Sequence, residues 1–322
     1  MAYCFKRKES VPKAVRRLVS ERLDRAVKAL HDGRHAWAIH AVRREIKQIR
    51  SLLRLIRARA SKHQYRRQMT LLRQAANLLA GSRDAHIKRQ ALNNLISHYR
   101  PELTPGAFRG VRQVLRSRFA EERKGFEANT NGCEVERLLR RLVENNDDLE
   151  VSAKGWKAIA SGLKTSYRCG QRTYVFALDT PTPESLHEWR KRAKDLWHQE
   201  RLLRRIWPEQ MEAAAQELKA LADILGDDHD LVILEESIKH LPFDSNQERE
   251  LQILRGFIAR RHRELSAEAL ALGARLYAET PSVFMGRLHS YWQRWRKGKD
   301  TPALNRGKNK RNRYLRAQPA VH

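Results

Sequence analysis

The chain has 322 residues, a length that allows about two domains, each large enough to bury a core of its own. Its 65 lysines and arginines outnumber 37 aspartates and glutamates, and the resulting formal charge of +28 indicates a polyanionic partner. An apolar fraction of 41%, with 15 glycines and 10 prolines, excludes collagen-like, low-complexity and wholly disordered chains.

The three cysteines have no CxxC spacing, which excludes a disulfide framework and a cysteine-based zinc site. The N-terminus becomes basic at Lys6 without the apolar run of a secretory signal. No uncharged stretch reaches the roughly 18 residues that a transmembrane helix needs. We therefore expect an intracellular protein in a reducing compartment, without a membrane partner.

Helix-forming residues dominate from end to end, and no run of alternating β-branched residues bounded by turns predicts a strand. The sequence therefore predicts an all-α fold of about ten helices. Breaks are expected, in chain order, at residues 32–33, 81–82, 101–106, 129–132, 180–183, 207–208, 226, 241–245 and 280–281, where glycine, proline and polar residues cluster. Thr182, Pro183 and Glu184 are typical of a helix start and place His187 on a helix.

Two histidines are each followed by cations at the same four offsets, +3, +4, +7 and +14. These cations are Arg43, Arg44, Lys47 and Arg54 after His40, and Arg190, Lys191, Lys194 and Arg201 after His187. Each block leads to an aspartate, Asp84 or Asp230, preceded 11 residues earlier by Arg73 or Lys219. The repeat predicts a tandem duplication, with a first half over residues 1–148, a second half over 149–293 and a basic, disordered tail over 294–322.

On a helix, these offsets place each histidine and its cations on one stripe. Apolar residues occupy the opposite arc of the first such helix, namely Ile39, Val42, Ile46, Ile49, Leu52, Leu53 and Ile56. Residues 40–67 contain ten lysines and arginines against one acid, Glu45, so ion pairs within the helix do not neutralise the stripe. Arg50, at offset +10, lies at the edge of the stripe, whereas the second half has Trp197 there, so the two helices are not chemically equal.

Two such helices facing each other would line a positive groove whose low-dielectric walls focus the electrostatic potential. Lysine ammonium and arginine guanidinium groups suit phosphate oxygens, so the candidate ligands are an inorganic phosphate polymer, DNA or RNA. Single-stranded nucleic acid is usually bound with aromatic platforms among the cations, and no aromatic residue other than histidine lies between His40 and Arg54. The phosphate polymer is therefore preferred, with nucleic acid as the alternative.

The histidines and aspartates of the repeat also suggest a metal site, but the neighbouring cations oppose a bound divalent ion. We interpret His40 and His187 as donors to phosphate or as groups protonated beside it; a hydrogen bond to a neighbouring helix is the alternative. Asp84 and Asp230 follow glycines and are expected to cap helix N-termini. No motif of nucleophilic or metal-dependent catalysis stands out, so we expect a binding protein without catalytic residues; a metal-assisted phosphohydrolase is the least favoured alternative.

Four segments together resemble the CHAD domain, the conserved-histidine α-helical domain: HAVRREIKQIRSLLRL, LLRQAANLLAGSRDAHI, LHEWRKRAKDLWHQERLL and LADILGDDHDLVIL. The resemblance extends over roughly residues 9–296 and includes both halves of the duplicated motif. It implies two pseudo-symmetric antiparallel four-helix bundles that form one compact unit around a central basic pore. It also implies binding of inorganic polyphosphate, without a cofactor and with a divalent metal only as a phosphate counterion.

The resemblance assigns phosphate contacts to residues of both halves: His40, Arg43, Lys47, Arg50, Arg54 and Arg73, and His187, Arg190, Lys194, Arg201 and Lys219. It adds Tyr167, Gly170 and Arg172, from an element before the second histidine helix, with Arg25 at the matching offset in the first half. Many relatives carry a triphosphate-tunnel catalytic domain, whose ExExK-type start is absent here, so a stand-alone binding module is expected. Its expected location is the cytoplasm or polyphosphate granules, or the nucleus in a eukaryote; the oligomeric state is left open.

Overall fold

The computed structural model describes residues 3–31, 35–79, 81–129, 132–146, 148–239, 241 and 243–298. Within these ranges the chain forms eleven α-helices: α1 (Val11–His31), α2 (His35–Ile56), α3 (Lys62–Leu78), α4 (Gly81–His98), α5 (Arg109–Asn129), α6 (Gly132–Glu144), α7 (Trp156–Asp179), α8 (Pro183–Leu203), α9 (Pro208–Ile238), α10 (Ser245–Leu276) and α11 (Pro281–Lys297). The same ranges contain no strand beyond one isolated bridge between Ala60 and Val151. The all-α prediction is confirmed.

Most of the expected breaks coincide with helix ends. Helices begin at Pro183, Pro208 and Pro281, where proline stands in the first turn, and Thr182 caps α8 by accepting a hydrogen bond from the Ser185 amide. The breaks at 81–82, 101–106, 129–132 and 241–245 are also confirmed, whereas the break at 32–33 lies outside the described residues. Local turn chemistry was therefore sufficient to locate these ends.

The expected break at Gly226 is wrong, because α9 continues through it without interruption. Gly226 is buried, and a Cβ atom there would lie 3.3 Å from Nη2 and 3.4 Å from Nε of Arg190. Glycine thus permits a close approach of the guanidinium group to the α9 backbone. The reason for this glycine is a tertiary contact, which sequence patterns do not show.

A break between α2 and α3 was not expected, because residues 57–61 contain neither glycine nor proline. There the chain pairs with a distant segment: the Ser152 amide donates to the Arg59 carbonyl at 2.8 Å, and the Ser61 amide donates to the Glu150 carbonyl at 3.4 Å. These long-range backbone hydrogen bonds engage the Arg59 carbonyl and the Ser61 amide just beyond the end of α2.

The two histidine helices lie next to each other in the interior of the fold. α2 packs against α1, α7 and α8, while α8 packs against α7 and α9 as well. All seven apolar residues expected on one face of α2 are buried, so the predicted core face is confirmed. A second, smaller core joins α4, α5, α9 and α10 around residues such as Leu92, Val111, Leu234 and Leu254.

Candidate anion-binding site

A cleft of about 500 Å³ lies between α2 and α8 and extends to α4 and α9. We call it the main cleft. Its lining contains eight lysines and arginines, three histidines and two acids: Arg43, Lys47, Arg50, Arg54, Ile87, His187, Glu188, Arg190, Lys191, Arg192, Lys194, Asp195, His198, His229 and Ile233. The sequence repeat thus brings cations of both halves to one concave surface.

Buried hydrogen bonds hold the two walls of the main cleft together. Ser51 Oγ of α2 donates to the Asp195 carbonyl of α8 at 2.8 Å, and Gln199 Nε2 of α8 donates to the Ser51 carbonyl at 3.3 Å. Beside this crossing, Arg54 Nη1 lies 2.6 Å from Asp195 Oδ1. Both side chains are largely shielded from water, which strengthens the pair and fixes where α2 meets α8.

On the α2 wall, Arg43 and Arg50 have different surroundings. Arg43 Nη1 donates to the carbonyls of Ala76 and Leu79 at 3.2 and 2.7 Å. It thus supplies a hydrogen-bond donor to carbonyl groups at the C-terminal end of α3. Arg50 is half-buried, and its Nε atom has no hydrogen-bond partner among the described residues. Burial, followed by the nearby charges of Arg54 and Arg73, lowers the pKa of Arg50, so a bound anion there would relieve both effects.

On the α8 wall, the histidines are held neutral. Burial, followed by the charges of Lys191 and Arg190, lowers the pKa of His187 to about 4, and its ring lies 3.9 Å from that of His229 between ring centroids. Burial and the neighbouring cations lower the pKa of His198 to about 3. The Nδ1 atoms of His187 and His198 are buried and have no hydrogen-bond partner among the described residues.

Seven of the residues expected to contact phosphate are not among those that line the main cleft: Arg25, His40, Arg44, Arg73, Arg172, Arg201 and Lys219. Arg44 lies 3.2 Å from Glu45 Oε1, and Lys219 lies 2.5 Å from Asp223 Oδ2. Arg201 stacks over the ring of Trp197 at 5.1 Å. The other four, Arg25, His40, Arg73 and Arg172, are exposed side chains.

Tyr167 and Gly170 have structural roles. The Tyr167 ring is buried and stacks on Phe284 with 4.0 Å between ring centroids, and its hydroxyl donates to the Glu279 carbonyl at 2.9 Å. A Cβ atom at Gly170 would lie 2.6 Å from the hydroxyl oxygen of Tyr277. These contacts fix α7 against the segment that joins α10 to α11.

Several lining residues were missed by the stripe argument. Arg192, Asp195 and His198 lie at offsets +5, +8 and +11 from His187, and they reach the main cleft because α8 is surrounded by other helices. His229 is next to the aspartate of the repeat, but the expected break at Gly226 concealed its position within a helix. Asp195 and His198 are polar residues on a helix that is largely buried. An acid or a histidine at such a position is unusual, and this was the signal that could have indicated them.

Of the two aspartates of the repeat, Asp230 does not have the capping role that was expected. Asp230 lies in the middle of α9 and therefore caps no helix N-terminus, while the side chain of Asp84 lies outside the described residues. Asp228 is buried, and its Oδ1 atom lies 2.6 Å from His262 Nδ1. In the described part of the chain no group of three or more histidine, cysteine or acidic side chains is arranged for a metal ion.

Within the described ranges no helix combines the length and the apolar character that crossing a membrane requires.

The chain is similar to solved structures and to a protein-family model. A solved structure of the CHAD domain from the plant Ricinus communis superimposes with a TM-score of 0.53 and 15% identity, and the match covers 91% of this chain and 95% of that one. PptA from Streptomyces chartreusis gives a TM-score of 0.49 and 13% identity over 87% of this chain and 98% of that one. No curated protein matches. Because the CHAD domain family model matches residues 13–239, the chain belongs to the CHAD domain family.

Proposed function

We propose that the protein binds inorganic polyphosphate in the main cleft, as a stand-alone binding module. The observation that carries the proposal is the charge of this cleft, where eight lysines and arginines converge on a concave surface with two acids among the described residues that line it. One of those acids, Asp195, pairs with Arg54, and the other, Glu188, pairs with Lys191 and Arg192. The remaining positive charge favours a polyanion.

The chemistry of the lining suits a chain of phosphate groups. Guanidinium forks and ammonium groups donate charge-assisted hydrogen bonds to phosphate oxygens, and partial burial strengthens each of them. Arg50 contributes a partly desolvated charge, and His187 and His198 place neutral imidazoles in the lining. Many such contacts, with release of counterions from the ligand, would make the binding strongly dependent on salt.

Nucleic acid is the competing ligand for a cationic cleft. Apart from histidines, none of the described side chains that line the main cleft is aromatic, so these residues offer no platform on which bases could stack. We therefore expect polyphosphate to bind more tightly than a single-stranded oligonucleotide of equal total charge. Titrating both ligands at about 0.15 M salt tests this expectation. Tighter binding of the oligonucleotide would overturn the assignment of the ligand.

A variant with Lys47→Gln and Arg50→Gln tests the location of the site. Both side chains line the main cleft, and neither supports a helix end as Arg43 does. We expect the affinity for polyphosphate to fall about 30-fold, because two charge-assisted contacts are lost. The matched control replaces two exposed arginines outside this cleft, Arg116→Gln and Arg249→Gln, and removes the same charge. Equal losses in the two variants would show that net charge, rather than this cleft, binds the ligand.

A further inference from the structure

A second cationic cleft lies at the end of α2, and it shares one side chain with the main cleft. Its volume is about 550 Å³, and its lining includes Arg54, Arg57, Lys62, Tyr65, Arg66 and Thr165. Arg54 also lines the main cleft, where it pairs with Asp195. The two cavities are therefore neighbours along α2, with one arginine between them.

Three of the four cations of this second cleft lack a counterion among the residues that the structure describes. Arg57, Lys62 and Arg66 are exposed and form no ion pair with any residue that the structure describes. Lys62 stands in the first turn of α3, which contains no acid, although the helix dipole disfavours a cation there. The Arg57 guanidinium lies 5.7 Å from the centroid of the Tyr65 ring. Four cations around one cavity, with no acid among the described residues that line it, form a surface suited to an anion.

The close packing of α7 against α2 forms the wall of this cleft opposite α3. A Cβ atom at Gly162 would lie within 3 Å of the Leu55 backbone, so only glycine lets α7 approach the end of α2 this closely. This contact places the hydroxyl-bearing residues Ser161 and Thr165 on the same cavity as Arg57. Hydroxyl groups add neutral donors to the charged ones.

We propose that the second cleft binds a further stretch of the same polyphosphate chain, so that the protein prefers long chains over short ones. This inference rests on the proposed function of the main cleft. Arg43 and Arg57 lie fourteen residues apart on and just after α2, about 21 Å along a helix axis at 1.5 Å per residue. A polyphosphate chain that contacts both Arg43 and Arg57 must extend past Arg54. A short oligophosphate, by contrast, occupies the main cleft alone.

Three variants and two probes test the inference. The second-cleft variant is Arg57→Gln with Lys62→Gln and Arg66→Gln; the main-cleft variant is Lys47→Gln with Arg50→Gln. The matched control removes three charges from exposed arginines outside both clefts: Arg116→Gln, Arg249→Gln and Arg275→Gln. The probes are inorganic tripolyphosphate and long-chain polyphosphate. All substitutions except those at Lys47 and Arg50 affect exposed side chains, and circular dichroism checks that the helices are retained.

The second-cleft variant should bind long-chain polyphosphate about tenfold more weakly than the control variant does, because three exposed contacts of modest strength are lost. Its affinity for tripolyphosphate should match that of the control. The slope of log affinity against log salt for the long chain should fall by about 2, by analogy with single-stranded nucleic acid. The main-cleft variant should lose affinity for both probes.

The alternative outcomes separate the two proposals. The inference is wrong if the second-cleft variant binds both probes as tightly as the control does, or if its affinity falls equally for both probes. Either result would mean that the second cleft makes no contact specific to the long chain. The main-cleft proposal survives that result as long as the main-cleft variant still loses affinity. If the unmodified protein binds neither probe, both proposals are wrong.

Discussion

The two walls of the main cleft carry the same spacing of cations in different surroundings. The α2 wall is amphipathic: its apolar arc is buried, while Lys47, Arg50 and Arg54 remain partly exposed. The α8 wall is enclosed by neighbouring helices, so that Arg190 is only 8% exposed and the histidines are held neutral. Identical offsets fix the direction of side chains around a helix. The environment of each side chain depends on which helices cover that direction.

Helix α7 sets the relation between the walls, because it packs against both α2 and α8. Gly162→Ala should break this arrangement, since the new methyl group would overlap the Leu55 backbone. Overpacking of this kind against backbone should destabilise the protein by about 3 kcal/mol or more, measured by urea unfolding.

Gly256→Ala in α10 is the matched control, because nothing lies within 4 Å of the added methyl group. This substitution should stabilise the protein by up to about 1 kcal/mol through better helix propensity. Unchanged stability in Gly162→Ala would mean that α7 can shift without effect on the walls.

Local signals and tertiary contacts explain which features the sequence could predict. Proline at the starts of α8, α9 and α11 and the apolar arc of α2 act within one helix, and both were predicted correctly. Three features depend on distant segments and were missed: the continuity of α9 at Gly226, the end of α2 at Ile56, and the entry of Asp195 and His198 into the main cleft. Each described α2 side chain that lines the main cleft belongs to the predicted stripe or its edge, whereas α8 also contributes Arg192, Asp195 and His198 from outside the stripe.

The walls also differ at offset +13, where the α2 wall has Leu53 and the α8 wall has Glu200, both buried. Burial raises the pKa of Glu200 to about 8. The folded state therefore binds one more proton than the unfolded state between about pH 4.5 and 8, and this group reduces stability as the pH rises through that window. Glu200→Gln should remove that loss and stabilise the protein at pH 8 by about 2 kcal/mol, measured by urea unfolding.

At pH 5 the same substitution should have little effect, because Glu200 is already neutral there. Glu217→Gln, at an exposed position of α9, is the control and should change stability little at either pH. A gain that is equal at pH 5 and pH 8 would show that the carboxyl group does not titrate as its burial implies.

The enclosed α8 wall should make binding depend on pH. In the free protein the pKa of His187 is about 4, and a phosphate group beside it would raise that pKa by favouring the imidazolium. Binding is then coupled to proton uptake, and the affinity for polyphosphate should rise about fivefold between pH 8 and pH 6. Calorimetry in buffers with different ionisation enthalpies measures the proton uptake directly.

His187→Gln should remove most of this pH dependence, whereas His63→Gln, at an exposed position of α3, should leave it unchanged. The stability of the free protein responds in the opposite direction. Because the pKa values of His187 and His198 are lowered on folding, the free protein should lose stability as the pH falls from about 6.5 towards 4. An affinity that stays constant between pH 8 and pH 6 would contradict contact between His187 and the ligand.

The smallest expected effect compares one lysine from each wall. Lys191 lies 3.1 Å from Glu188 and is half exposed, so its charge is largely neutralised in the free protein. The α2 wall has one acid among residues 40–56, and that acid, Glu45, is buried beside Arg22 at 3.3 Å. Lys47→Gln should therefore weaken polyphosphate binding about fivefold, and Lys191→Gln less than twofold, in titrations at the same salt concentration. Equal losses of affinity in the two variants would mean that the ligand displaces Glu188 from Lys191 and that both walls contribute alike to binding.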